Sequence, residues 1–442
     1  MAAGASPGTG EQKETRAGNY FVANYPPFSF WDGEQNHAVT ELLEREPAPG
    51  TPLGLYVHIP FCRKRCDFCY FKVYTDKGSR EVQRYLDAVQ RELAAFAAKP
   101  YLAGRRPRFL YFGGGTPSYL STTQLQQLFE GLRAILPWDD AEEIAFECEP
   151  GTLQEGKIRL LRSLGVTRLS LGVENFDPGI LAANNRAHLG EEIYRAYGFA
   201  RDAGFPQVNV DLIAGMVGET DANWERCVQE TVRLEPESVT IYQMEVPFNT
   251  TLYGSVGGGE TAALPVADWD TKRRWVAEAF ERLEDAGYHV GSAYTACRND
   301  DVQFLYRDAL WRGADLLGIG VSSFSHLGGV HFQNEPSFEP YLQGVEADAL
   351  PLSRAYVLTD EERLIREFIL QMKLGSVEMA YFQDKFGVDV LERFREPLAK
   401  HAAAGWLVLE PERVRATRPG LLRIDSLLHD FFLERHCNAR YT

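Results

Sequence analysis

The sequence predicts an α/β protein, a partial (β/α)6 barrel of the TIM type followed by a small winged-helix-like domain. Three observations carry this expectation. Between residues 53 and about 290, six short β-rich runs are each followed by a polar or Gly-rich turn and then an amphipathic helical stretch. Strands that alternate with helices require a parallel sheet, because each crossover returns the chain to the same end; six such units curl into an open barrel. Beyond residue 355 the pattern changes to helices and a hairpin.

Taken in order, residues 1–19 are small and polar with no apolar stretch, and are expected to be a flexible leader rather than a secretion signal or anchor. Residues 20–52 contain NYFVANYPPFSFW, dense in aromatics and proline. This segment is either a strap packed across the barrel bottom or an aromatic lid over a substrate pocket. The barrel itself is expected over 53–340. LGLYVHI forms the first strand, ending at Ile59, and the helix from about Ser79 aligns Val82, Tyr85, Leu86, Val89, Leu93 and Phe96 on one face. RFLYF ends at Phe112, EIAFE at Glu147, RLSLGV at Val173, VNVDLI at Ile213 and VTIYQM at Met244, the last followed by a Gly-rich insertion at 254–259. In the C-terminal unit, expected over 355–442, TDEERLIREFILQMKL reads as a capped helix and WLVLEPERVRAT as two short strands around a Pro-Glu turn.

Charge narrows the partners. The 442 residues carry 46 Lys and Arg against 62 Asp and Glu, a net charge of −16. That excludes nucleic acid and anionic membrane as bulk electrostatic partners. Residues 359–442 hold 13 basic against 14 acidic residues, so the winged-helix-like unit lacks a DNA footprint and is read as a packing domain. No apolar run reaches the ~18 residues that span a bilayer. A cytoplasmic protein is expected.

The seven cysteines are an odd number, and Cys62, Cys66 and Cys69 fall within one loop directly after the first strand. A disulfide scaffold does not fit; a thiolate metal site does. A structural zinc would need His58 as fourth ligand, and His58 lies in the strand. A [4Fe–4S] cluster on three thiolates leaves one iron free for a substrate or cofactor. Cys148, Cys227, Cys297 and Cys437 show no partner spacing and read as small apolar residues.

Strand ends supply the remaining candidates, because in a barrel of this type the chemistry sits at the C-terminal ends of the strands. Gly113-Gly114-Gly115-Thr116-Pro117 lacks the Lys-Ser/Thr of a phosphate loop. Its glycines let backbone amides and carbonyls approach a ligand such as an amino-acid ammonium group. Glu147, Glu174 and Asp211 follow the third, fourth and fifth strands, with Arg186 between the last two in sequence. Glu174 and Tyr242 are the catalytic candidates.

The cysteine triplet, with Phe68 before its last cysteine, is similar to the signature of the radical S-adenosylmethionine (SAM) superfamily. YVHIPFC, YFGGGTPS, LSLGVEN, NNRAH, VDLIAG and GIGVSSFS resemble the HemN family in the same order, over roughly residues 53–335. The tail resembles that family's C-terminal domain. The resemblance implies a [4Fe–4S] cluster on Cys62, Cys66 and Cys69, with one SAM on the open iron held by Gly114 and Glu147 and flanked by Tyr56. A second SAM would touch Phe68, Gly115, Thr116, Glu174, Arg186, Asp211, Met244 and Phe324. Two positions depart from the family. Porphyrinogen-oxidising members have a fourth cysteine where this chain has Phe71, and Glu174 replaces the usual Gln.

The first departure ranks the activities. The leading expectation is a two-SAM methylase or cyclopropanase acting on an sp2 carbon of an aromatic, polyketide- or peptide-derived small molecule in an antibiotic pathway. Flavodoxin or ferredoxin would supply electrons. The alternatives are oxidative decarboxylation of coproporphyrinogen III, a haem chaperone like HemW using His326 or His331 as haem ligand, or a haem-degrading methyltransferase.

Overall fold

The structure, a computed structural model, describes residues 21–255 and 266–437. The expected leader and most of the Gly-rich insertion lie outside the described residues. Six strands, β1 (Leu53–Ile59), β2 (Phe109–Gly114), β3 (Glu143–Cys148), β4 (Arg168–Glu174), β5 (Gln207–Ala214) and β6 (Ser238–Gln243), pair in parallel and in sequence order. The α/β barrel expectation therefore holds.

The sheet is wider than six strands. Two short strands, β7 (His289–Val290) and β8 (Thr295–Cys297), close the β6 side in antiparallel fashion. On the other side β9 (Asp315–Ile319) runs parallel to β1, and β10 (Phe324–Leu327), β11 (Val330–Asn334) and β12 (Leu352–Val357) add an antiparallel meander. The order is β12-β11-β10-β9-β1-β2-β3-β4-β5-β6-β8-β7. β12 therefore belongs to the large sheet, although the C-terminal unit was expected to begin at 355.

The central strands are almost continuously buried because helices cover their outer face, the normal condition of a parallel sheet. The residues that are less buried, including Tyr111, Glu147, Glu174 and Asp211, are those facing inward. Helix Ser79–Ala97 presents the expected face, with Val82, Tyr85, Leu86, Val89, Leu93 and Phe96 all buried.

The same helix contributes Glu92, which is 1% exposed. Its carboxylate accepts bonds from the Tyr341 hydroxyl (2.5 Å), the Asn334 amide (2.5 Å) and the Gly320 N–H (2.8 Å), so it ties the helix to β11 and to the turn after β9. Burial, opposed by these donors, raises its pKa to about 7. A carboxyl whose pKa is higher folded than unfolded contributes its full stability below about 4.5, and that contribution is lost as pH rises through about 7. Glu92→Gln should therefore flatten the fall in melting temperature between pH 5 and 8. Glu92→Ala, which strands three buried donors, should destabilise at every pH by about 3–5 kcal/mol in denaturant titrations.

The C-terminal unit opens with helix Asp360–Met372, capped by the Thr359 hydroxyl and Glu362. Helices Met379–Phe386 and Arg395–Ala403 follow, beside a small sheet of β13 (Ser376–Glu378), β14 (Leu407–Leu409) and β15 (Arg413–Ala416), ordered β13-β15-β14. This is the winged-helix-like arrangement, with one strand more than the hairpin expected. Its core also contains Val22, Tyr25, Ala293 and Trp311, so the N-terminal strap packs against it. Asp32 exchanges both backbone bonds with Ala355 of β12, Trp31 stacks on His331, and the Tyr25 hydroxyl meets His436 and the Leu433 N–H. The strap thus runs mainly along the β10–β12 edge, and Phe21 alone of its described residues lines the large cavity considered below. No helix among the described residues is long and apolar enough to cross a membrane.

Candidate active site

The C-terminal ends of β1–β6 open into a cavity of about 510 Å3. One wall is the cysteine loop. Cys62, Cys66 and Cys69 all line the cavity and remain partly exposed. The Thr116 hydroxyl donates to Cys62 Sγ at 3.3 Å, and Arg186 Nη1 donates to Cys66 Sγ at 3.3 Å. Burial, with repulsion from the neighbouring thiols, pushes Cys62 up to about 12 and Cys69 up to about 11. Without a metal Cys62 and Cys69 stay protonated; a metal that displaces the protons would relieve that penalty.

The donor set suits a cluster. Three thiolates with no fourth protein ligand are the set that leaves one iron of a [4Fe–4S] cluster open. Among the described residues no three His, Cys, Asp or Glu side chains close on a single ion. The zinc alternative also loses His58, whose Nδ1 pairs with the Tyr56 hydroxyl at 3.0 Å and whose ring lies against Gly114. Burial lowers the His58 pKa to about 4.

The glycine turn after β2 is shaped by close approach. A Cβ at Gly115 would stand 3.0 Å from Cys62 Sγ and 2.9 Å from the Phe61 carbonyl. Gly114 has φ +113°, a conformation L side chains rarely adopt, and a Cβ there would strike the His58 ring at 2.6 Å. The Gly114 N–H donates to Glu147 Oε2 at 3.0 Å, and the Tyr111 hydroxyl donates to Oε1 at 2.5 Å.

Three carboxyls share the interior. Burial raises Glu147 and Glu174 each to about 7 and raises Asp211 as well; the nearness of Asp211 adds to the shifts of the two glutamates. Ser170 and Asn209 fix Asp211 at 2.7 and 2.8 Å. Glu174 sits at a bulge with φ 63°, 3.4 Å from Arg186, which also donates to the Gly172 carbonyl at 2.5 Å. Protonatable acids crowded in an enclosed space are stabilised as anions by a bound cation, so this wall is suited to sulfonium and ammonium groups.

The structure brings Phe68, Gly114, Gly115, Thr116, Glu147, Glu174, Arg186, Asp211, Tyr242, Met244 and the three cysteines to one lining. Two expected contacts do not join them. The Tyr56 hydroxyl is taken up by His58, and its ring stacks on Tyr111 with centroids 6.1 Å apart. Phe324 packs against Phe28 and Trp31 of the strap, at 4.4 and 5.7 Å. His326 and His331 are likewise not offered to a ligand, being buried with their Nδ1 atoms 3.0 Å apart.

Sequence reasoning missed Arg63. Its guanidinium grips Glu149 at 2.9 and 3.0 Å and the Ala187 carbonyl at 3.1 Å, which anchors the cysteine loop to the segments after β3 and β4. Burial opposes ionisation of Glu149, yet His188 and Arg63 hold it at about 2. The run of three basic residues after Cys62 was the available signal.

A parallel barrel with three thiols in the loop after β1 and a glycine turn after β2 defines a radical SAM protein. The radical SAM superfamily model matches residues 56–230, and the HemN C-terminal domain model matches residues 358–423. The chain belongs to the HemN-like radical SAM family. The oxygen-independent coproporphyrinogen III oxidase of Escherichia coli K12 is 29% identical over 437 residues, covering 94% of this chain and 93% of that protein. The Bacillus subtilis haem chaperone HemW is 27% identical over 369 residues, covering 83% of this chain and 96% of that protein. The solved structure of the E. coli coproporphyrinogen III oxidase HemN matches with a TM-score of 0.81 at 26% identity, over 92% of this chain and 96% of that one. These relatives overturn the expectation of antibiotic C-methylation or cyclopropanation: the proteins that match from end to end are porphyrinogen oxidases and a haem chaperone.

Proposed function

We propose that this protein is a radical SAM oxidase of the coproporphyrinogen III type, removing carboxyl groups oxidatively from a tetrapyrrole. The observation that carries the reading is the match to the E. coli oxidase structure over 92% of this chain and 96% of that one. In this reading Cys62, Cys66 and Cys69 hold a [4Fe–4S] cluster, which when bound supplies the electron that breaks a sulfonium C–S bond of SAM. Gly114 and Glu147 orient the methionyl end of that SAM. Glu174, Arg186 and Asp211 hold a second one, with Phe68, Gly115, Thr116 and Met244 around it. Glu174 and Tyr242 are the residues assigned to touch reacting groups, and the covered cavity excludes water. Lys64, Arg65 and Lys72 stand exposed in the cysteine loop of an otherwise acidic protein, suited to an acidic one-electron donor such as flavodoxin.

Phe71 is compatible with this. Its side chain is 46% exposed at the rim, against Tyr70, so the family's fourth cysteine position lies outside the cluster set. The same residue favours the second reading, a haem chaperone, because oxidases of the family carry cysteine there. An anaerobic assay with dithionite, SAM and coproporphyrinogen III separates the two. Release of carbon dioxide with 5′-deoxyadenosine is expected. Tight haem binding without carbon dioxide would replace the oxidase by the chaperone.

A further inference from the structure

The loop that carries the three cysteines is long and irregular. Between Ile59 and Ser79 it is tied to itself by the bridge of Phe61 to Tyr74 and by the Cys69 N–H, which donates to the Cys66 carbonyl at 3.1 Å. A segment of this kind ordinarily takes its shape from the metal it binds. Here a second segment supplies the shape. Residues 184–188, which follow the short helix Pro178–Ala183, run beside the loop in the opposite direction. The Ala187 carbonyl accepts Arg63 Nη2 at 3.1 Å, and the Asn185 amide donates to the Arg65 carbonyl at 2.8 Å. Arg186 donates to Cys66 Sγ, and the Asn184 carbonyl accepts the Asp67 N–H at 3.3 Å.

The barrel holds this second segment from behind. Asn184 brackets Val217, beyond β5: its Oδ1 accepts the Val217 N–H and its Nδ2 donates to the Val217 carbonyl, each at 3.1 Å. The Arg186 N–H donates to the Leu181 carbonyl at 2.9 Å, and His188 Nε2 lies 3.2 Å from the Val173 carbonyl of β4. Glu149, just after β3, stands 3.4 Å from His188 and grips Arg63 through two oxygens. Asn185 takes φ 58°, a left-handed conformation that asparagine tolerates better than most side chains. The contacts to the loop are therefore set by β3, β4 and β5, and each is made by protein atoms alone.

We infer that residues 184–188 and Glu149 form a mould that holds the cysteine loop in its cluster-receiving shape before any iron arrives, with Arg63 and Asn185 as positioning residues that act through the loop. The entropy of ordering the loop is then met when the barrel folds, so it does not weaken the affinity for the cluster. The inference rests on the cluster assignment of Cys62, Cys66 and Cys69 and does not depend on the substrate.

The test uses the full chain, metal-free and after anaerobic reconstitution. Hydrogen exchange read by mass spectrometry on the metal-free wild type should show residues 63–70 protected at least about tenfold over an unstructured chain. Arg63→Gln and Asn185→Gly should remove that protection, while peptides from β3 to β5 exchange as in wild type. Asn185→Gly keeps the left-handed backbone available and deletes only the amide. After reconstitution both variants should lose iron to excess EDTA about 10- to 100-fold faster than wild type, the usual cost of removing a partner that orients metal ligands. Arg63→Lys keeps the charge beside Glu149 without the paired bond and should fall between. Should Arg63→Gln not fold, Asn185→Gly, which leaves the Arg63–Glu149 pair in place, carries both readouts. Free exchange of the loop in metal-free wild type would overturn the mould, because the cluster would then be what shapes the loop. Iron retention at the wild-type rate in both variants would overturn the positioning role. A wild type that takes up no iron would overturn the cluster assignment and the proposal together.

Discussion

Protein with Cys62, Cys66 and Cys69 all replaced by alanine is expected to bind no iron after anaerobic reconstitution, where wild type takes up four irons in one cluster. The expectation follows from the position of the thiols. They occupy a partly exposed loop after β1 rather than the core, so their loss leaves the barrel folded. They are also the loop's entire thiol supply, and Cys148 is held at the end of β3 with its pKa raised by burial above that of an ordinary thiol. Iron analysis and the broad absorbance near 400 nm give the readout, with circular dichroism confirming the fold. Four irons retained in the triple variant would show that other side chains hold the cluster. One zinc and no iron in wild type would replace the cluster by a single ion, which the spacing of the side chains does not favour.

The barrel was legible because its strands end where apolar runs end. β1 stops at Ile59 as expected, and β6 stops at Gln243, one residue short of the expected Met244. The meander β9–β12 was not legible in the same way, since DLLGI is a short run opened by an aspartate, with no helix after it. One local signal was present. Gly328 and Gly329, both with positive φ, form the two-residue turn between β10 and β11, and a Gly-Gly pair between β-rich runs marks a hairpin. Reading that pair would have placed Phe324 on the first strand of a hairpin.

In the site, the rule that chemistry gathers at strand ends brought the acids and Arg186 correctly to one cavity. Phe324, taken from the family resemblance, packs instead on the strap, because nearness to a motif in sequence does not decide which face of a strand a side chain takes. The weight given to Phe71 shows a further limit. A single departure from a family pattern ranked the activities, yet its position at the rim leaves the three thiols untouched.

Glu147 separates cofactor binding from cluster binding. Its carboxylate already accepts the Gly114 N–H and the Tyr111 hydroxyl, and these two bonds aim its remaining lone pairs into the cavity beside the cysteine loop. A SAM ammonium placed there would gain a charge-assisted bond and would draw the Glu147 proton off, because burial holds that carboxyl near 7 until a cation arrives. Glu147→Ala removes the anion and releases both of its donors, but touches no thiol. The variant should therefore keep four irons and the wild-type absorbance, while 5′-deoxyadenosine formation under dithionite falls by about 100-fold or more, the loss expected when a buried charged contact of about 3 kcal/mol also positions the reacting bond. Glu147→Gln keeps the shape without the charge and should lose nearly as much at saturating SAM, with a higher KM. Arg186→Glu serves as the contrast: it strips the donor from Cys66 and places a third carboxylate beside Glu174, so cluster occupancy itself should fall. Cleavage of SAM at the wild-type rate by Glu147→Ala would reduce Glu147 to a structural charge that braces the glycine turn. Loss of iron from Glu147→Ala would show instead that the turn after β2 supports the cysteine loop, since Gly115 and Thr116 both press on Cys62.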